Sequence, residues 1–271
     1  MRVDRILLVF RKDWLEVRRN WEIMAPIVLV PLIFSVALPT MMLLIPGSVG
    51  SGNAQGLGPL LANLPASVQA ELAGLPKGQT IVYLMIVYIF APFFLLIPAM
   101  ASSVIASDSF AGEKERKTIE GLLATPLSDG ELMVGKIMVA FVPSMIVTLL
   151  SFIVYSVLVD AISFGTFNRF ILPTVNWFLI IFLLAPAIAV AGIALTVIVS
   201  ARVKGFREAQ QLSVLIIVPI MGLVIGQMFG FLLLIPTVIM ILFAIFVVVD
   251  MVILKIGLDM FEREEILSRM H

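Results

Sequence analysis

Cysteine is missing from this 271-residue chain, and histidine occurs once, as the terminal His271. Without thiols there are no disulfides, Cys-ligated metals or thiol nucleophiles. A single terminal imidazole likewise excludes His-based zinc sites and Ser-His-Asp constellations, so neither an intramembrane metalloprotease nor a hydrolase triad is expected. No catalytic, cofactor or metal residue is therefore expected in this chain. Charge is also scarce: 13% of residues are Asp, Glu, Lys or Arg, against roughly a quarter in soluble domains. The N-terminus opens on charged residues, with no short apolar core ending in a small-residue cleavage site, so no cleavable signal peptide is expected. What is abundant is apolar surface, at 61% of residues, which marks a membrane protein.

Apolar runs fall at about 24–45, 81–106, 137–159, 176–200, 212–229 and 231–254. Each reaches or approaches the ~20 residues that cross a ~30 Å hydrocarbon core as a helix. The expected fold is all-α and polytopic, one transmembrane domain over 1–271 with six spans. Sixteen of the 18 Lys and Arg lie on one side of this pattern. They occupy the N-terminal segment, the loop 107–136, the loop near 201–211 and the C-terminal tail. Only Lys77 and Arg169 fall on the other side. The positive-inside rule then puts both termini in the cytoplasm of a cell-membrane protein and the loop 46–80 outside.

Residues 1–23 carry Val3, Ile6, Leu7, Phe10, Trp14, Val17 and Trp21 at steps of mostly three and four, with charges between them. The spacing predicts an amphipathic helix lying along the inner membrane surface, its Trp residues at headgroup depth. The outer loop is rich in Gly, Pro and Ala and reads as a linker with one short helix within PASVQAELAGL. Pro31, Pro92, Pro98, Pro143, Pro186, Pro219 and Pro236 interrupt the spans, each a place for a kink. Gly222, Gly226 and Gly230 form a small-residue face for close helix approach, either within the chain or at a dimer seam. Residues 212–254 are almost continuously apolar, leaving the boundary of spans five and six open, with a re-entrant pair near Pro236 as one solution. Asp250 is the one charge assigned to a span interior. Its place near the cytoplasmic end predicts a snorkelling or helix-end role.

In SDGELMVGKIM, residues 128–138, Gly130, Gly135 and Lys136 nearly reproduce a nucleotide-binding P-loop. Ile137 stands where a P-loop needs Ser or Thr for magnesium, and no strand precedes it. Ser128 and Glu131 have instead the spacing of a capping box, so the third span starts here. Lys136 is then expected to lay its stem along lipid and reach water. Just upstream, Thr118 is placed to cap a short helix with Ile119, Leu122 and Leu123 on one face, ended by Thr125-Pro126. Such an apolar knob facing the cytoplasm needs lipid, the rest of the chain or a partner to cover it.

Glu113, Glu115, Thr118, Glu120, Leu122, Leu123, Thr125, Pro126, Leu127, Glu131, Leu132, Gly135 and Lys136 together resemble the loop between spans two and three in the membrane subunits of type 2 ABC (ATP-binding cassette) exporters. The segment VKGFREAQQLS and, more weakly, the tail FEREEIL resemble the same family, and the resemblance covers the whole chain. Lys117 departs from it, since many members carry glycine before the threonine.

The resemblance implies a permease that forms the translocation path as a dimer, with a second copy of the chain or a homologous permease, in membrane lipid. It implies no nucleic-acid partner and no enzymatic activity in this chain, with ATP and Mg held by separate ABC ATPase subunits. The N-terminal amphipathic helix would be the elbow. Thr118, Ile119, Glu120, Leu122, Leu123, Thr125 and Pro126 would form the coupling helix seated on the ATPase, with the charged residues at 113–117, Glu113 and Glu115 among them, as contacts. Lipids, drugs, peptides and sodium are all candidate substrates. A six-span anchor or sensor without transport is the alternative. A secondary transporter is a third reading, disfavoured by the shortage of charge inside the spans.

Overall fold

The computed structural model describes residues 3–44, 61, 63–118, 128–203, 205–230 and 232–259. No strand occurs among the described residues. Helix α1 (Val3–Val17) is followed, after a break at Arg18–Asn20, by α2 (Trp21–Leu44), whose start is capped by the Asn20 side chain on the Glu22 N–H at 3.0 Å. A short helix α3 (Ala66–Leu72) precedes α4 (Gly78–Glu115) and α5 (Asp129–Phe167). Then come α6 (Val175–Arg202), α7 (Phe206–Met228) and α8 (Pro236–Asp259). The six helices α2 and α4–α8 are each long and apolar enough to cross a bilayer, so the chain is an all-α, multi-pass membrane protein.

α4 and α5 outrun the spans expected at 81–106 and 137–159. At 1.5 Å per residue, the 39 residues of α5 extend ~58 Å, far more than the ~30 Å apolar core. Both helices therefore project beyond the hydrocarbon and carry polar residues into the loops. Nor is there a re-entrant pair near Pro236 among the described residues. Gly230 turns the chain at φ +77, and α8 begins at Pro236, where the ring's missing N–H costs nothing. A Cβ on Gly222 would meet nothing within 4 Å, while Gly226 accommodates Leu232 from the following turn.

The core away from α1 is aromatic. Trp177 of α6 stacks on Phe152 of α5 at 5.5 Å and meets Phe94 of α4 edge-on at 5.0 Å, with Tyr155 also at 5.0 Å. Trp177 Nε1 donates to the Val87 carbonyl at 3.0 Å and the Tyr155 hydroxyl to the Ile86 carbonyl at 2.9 Å. Both acceptors lie in Met85–Ile89, where α4 widens into a π-type turn ahead of Pro92. Neighbouring donors thus reach backbone carbonyls where a proline disturbs a membrane helix. Similar wide turns occur at Ile33–Ala37, flanked by Pro31 and Pro39, and at Ile180–Leu184, just before Pro186.

The loop ahead of α4 is more than a linker. α3 buries Val68 and Leu72 in the aromatic core cluster, and Glu71 accepts hydrogen bonds from Tyr88 at 2.9 Å and Tyr83 at 3.4 Å. Asp160, near the end of α5, accepts from the Ile171 and Leu172 N–H groups at 2.8 and 3.1 Å, fixing the turn into α6. It is a further buried carboxylate on a span helix, missed in the sequence, whose Oδ1 accepts both bonds.

Candidate functional site

At the opposite end of the bundle α1 crosses the start of α5. Its buried positions are Val9, Asp13 and Val17, spaced by four and so stacked on one face. Of the stripe read at Val3, Ile6, Leu7, Phe10, Trp14, Val17 and Trp21, Val17 is buried and Phe10 and Trp14 pack beside it, while Val3, Leu7 and, at the start of α2, Trp21 are exposed. Gly135 permits the contact: a Cβ there would lie 2.8 Å from Val9 Cβ. The capping box is present as expected, with Ser128 accepting from the Glu131 N–H at 3.3 Å and Glu131 accepting from the Ser128 N–H at 3.2 Å. Arg5 of α1 lies 3.6 Å from Glu131, so the cap is also tied to α1.

One residue after Gly135, Lys136 is fully buried, not snorkelling. Its ammonium donates to Glu113 and to the Ser109 carbonyl, and stands 5.3 Å from the centre of the Phe110 ring and 3.9 Å from Asp13. Glu113, 1% exposed, also takes Lys12 of α1 at 2.5 Å. Asp13 accepts from the Ser109 hydroxyl at 2.9 Å and lies 3.1 Å from Lys12. Arg116 joins Asp108 at 2.9 Å and Glu16 of α1 at 3.7 Å. The α4 residues involved come from the wide turn Asp108–Gly112 and the turn after it. Gly112 leaves room for the Arg116–Asp108 bridge, since a Cβ there would stand 2.7 Å from Asp108 Oδ1.

Such a cluster persists in a buried place because each charge has an opposite neighbour and hydrogen bonds besides. Burial opposes the charged form of Lys12, yet the bond to Glu113 and the charges of Asp13 and Glu113 outweigh it and hold the ammonium above its ordinary value.

The stem of the loop is fastened on other sides too. Lys114 donates to the Val203 carbonyl at 3.0 Å, a cation at the C-terminal end of α6. Glu115 accepts from the Phe206 N–H at 2.9 Å, an anion at the start of α7. Gly205 makes this approach possible, because a Cβ there would stand 2.5 Å from Glu115 Oε2. α4 then ends in a Schellman arrangement: the Thr118 N–H bonds the Glu113 carbonyl at 3.0 Å and the Lys117 N–H the Lys114 carbonyl at 3.2 Å. Lys117 occupies the left-handed position at φ +56, where glycine is the unstrained choice.

Of the two glutamates expected to contact the ATPase, Glu113 is buried, whereas Glu115 stays exposed while bonding within the chain. Glu113 is buried against two lysines, and Glu115 caps α7. Thr118 closes the helix end, its hydroxyl 3.3 Å from the Glu113 carbonyl. Ile119, Glu120, Leu122, Leu123, Thr125 and Pro126 lie outside the described residues, as does the FEREEIL tail. Lys12, Asp13, Asp108, Arg116 and Lys136 were not singled out for this cluster in the sequence. The available signal was Asp13, which falls in step with Val9 and Val17. No group of three or more metal-ligating side chains occurs among the described residues.

Comparison with known proteins bears on what this end of the bundle is for. A family model described as ABC-2 family transporter protein matches residues 7–239. The chain is 37% identical over 73 residues to the ABC transporter permease protein NatB of Bacillus subtilis (strain 168). That similarity spans 27% of this chain and 18% of NatB. No solved structure matches. The family match runs from α1 into α8 and includes every residue of the charge cluster, and on it the chain belongs to the ABC-2 family of transporter proteins.

Proposed function

We propose that this ABC-2 family protein is the permease subunit of an ATP-driven exporter, working as a dimer, with ATP and Mg bound by separate ATPase subunits. Both termini and the loop 119–127 face the cytoplasm in this arrangement, and that loop docks on the ATPase. The observation that carries the proposal is the buried cluster Lys12–Asp13–Ser109–Glu113–Lys136 at the base of the loop. A loop that only joined two spans would need no buried ion pairs beneath it. A loop that receives a push needs a stiff footing, and this one is pinned to α1, α5, α6 and α7.

The coupling surface itself is assigned to Ile119, Glu120, Leu122, Leu123, Thr125 and Pro126, with Glu113, Glu115 and Thr118 holding that segment from behind. Closure of the ATPase pair would move the loop and the pinned helices together and switch the cavity from inward-facing to outward-facing. The cargo class that suits an apolar bundle is lipid-like or amphipathic.

The test is co-expression with an ABC ATPase. The two should co-purify, and vesicles containing both should move cargo only with ATP. Leu122→Asp should weaken association while leaving membrane insertion intact, whereas Glu113→Lys should act through loss of the stem. Gradient-driven transport by the chain alone, without ATP, would refute the proposal. Unchanged ATPase association of Leu122→Asp would overturn the assignment of the coupling surface.

A further inference from the structure

Five basic side chains at this end of the bundle, those of Arg5, Lys12, Arg116, Lys136 and Arg207, are paired with acids of the chain itself. Arg11, Arg18 and Arg19 are exposed, and none of them forms an ion pair with a described residue. Their direction follows from the buried stripe of α1. With Val9, Asp13 and Val17 turned to the bundle, Leu7, Leu8, Arg11, Leu15 and Arg18 fall within about 100° of the opposite side of the helix. Arg18 still follows the helix, its N–H bonding the Trp14 carbonyl at 3.1 Å, and Leu7, Leu8 and Leu15 are exposed. α1 thus sorts its charges. Asp13 and Glu16 turn to the charge cluster, while the three unpaired arginines turn away from it. Among the described residues of α1, Asp4 is the one acid on the outer side, ~10 Å along the axis from Arg11.

What covers this face follows from where it lies. The first span begins at Trp21, which is exposed, two residues after Arg19. The start of a span stands at headgroup level, so Arg18 and Arg19 enter the headgroup layer. Leucines interleaved with arginines need an apolar phase next to an anionic one. A polyanion in water would pair the guanidinium groups and leave the leucines wet. A bilayer bearing anionic headgroups satisfies both, the leucines reaching acyl chain and each planar guanidinium taking a phosphate through two N–H groups.

We propose that the outer face of α1, with Arg11, Arg18 and Arg19, is a binding surface selective for anionic phospholipid headgroups. The same helix carries Lys12 and Asp13 on its inner side, so lipid held outside steadies the charge cluster within. The surface requires only that α2 crosses the bilayer, and it does not depend on the exporter reading.

The chain has no cysteine, so Leu15→Cys places a single fluorophore between Arg11 and Arg18 on this face. The labelled full chain is reconstituted in phosphatidylcholine vesicles, into which brominated phosphatidylglycerol or brominated phosphatidylcholine is titrated as quencher. An arginine near an anionic surface adds about a fivefold gain in affinity. Half-quenching should therefore need at least fivefold less of the brominated phosphatidylglycerol. The triple variant Arg11→Gln, Arg18→Gln, Arg19→Gln should lose this preference while brominated phosphatidylcholine still quenches, the sign of a helix that remains at the bilayer. If the triple variant does not reconstitute, Arg18→Gln alone decides in the same way and should lose at least half of the preference. Equal quenching by the two lipids in the labelled parent, or a preference unchanged in the variants, overturns the proposal. So does quenching by neither lipid, which would mean that protein covers this face.

Discussion

Replacing Lys136 with methionine keeps the length of the side chain and removes one charge from the buried cluster. Glu113 then keeps only Lys12, at 2.5 Å, as a basic partner, while Asp13 loses a cation 3.9 Å away. Breaking a buried pair by removing one member typically costs ~3–5 kcal/mol, because the other charge is left behind in low dielectric. The surviving Lys12 contact puts the expected loss near the lower end, about 3 kcal/mol. In a Glu113→Gln background most of that penalty is gone, since the carboxylate that needed Lys136 is absent. The double variant should therefore be more stable than the sum of the single losses by about 2 kcal/mol, within the range for residues in contact. The assay is reversible unfolding in mixed micelles on adding SDS, run on all four members of the cycle. Limited proteolysis within α1 supplies a second readout and should rise in Lys136→Met and fall back in the double variant. Losses that add to within ~0.5 kcal/mol would refute the argument, because they would mean Lys136 and Glu113 do not depend on one another.

Gly135→Leu should drive α1 off α5, since even a Cβ would meet Val9 at 2.8 Å; a spin label on α1 should become mobile while the six spans stay inserted. Lys117→Gly relieves a left-handed backbone at φ +56 and should stabilise the end of α4 by roughly 1 kcal/mol, read as slower hydrogen exchange at Thr118. Because Lys12 is held above its ordinary value, its contribution is complete below the unfolded pKa of ~10.4 and is lost only as pH rises through the higher folded value. Proteolysis of α1 should accordingly be flat from neutral pH to about pH 10 and climb above it, whereas a rise nearer neutrality would contradict the assignment.

Much of this architecture is readable in the sequence because its causes are local. Six apolar runs are visible wherever a bilayer must be crossed, and Ser128 and Glu131 declare the start of α5 because a capping box spans only four residues. The cluster was not readable, because its pairs join Lys12 to Glu113 and Asp13 to Ser109, about a hundred residues apart. Lys136 illustrates the difference. On its own helix it looks like a lysine at a membrane interface, and only α1 laid across Gly135 turns that position into an interior. The extent of α4 and α5 was underestimated for a related reason. Hydropathy reports where lipid ends, but a helix ends where its capping groups lie, here at Lys117 and Ser128.

Glu113, Lys114, Glu115 and Arg116 are four consecutive residues tied in turn to α1 with α5, to α6, to α7, and back to α1. The end of α4 is thus a hub with spokes in several directions, and a hub of this kind cannot turn about its own axis while the spokes hold. Torque applied to the loop beyond it is converted into translation shared among the attached helices. Cutting one spoke should cost part of the transmitted displacement and leave the rest, giving partial rather than all-or-none defects along these four positions.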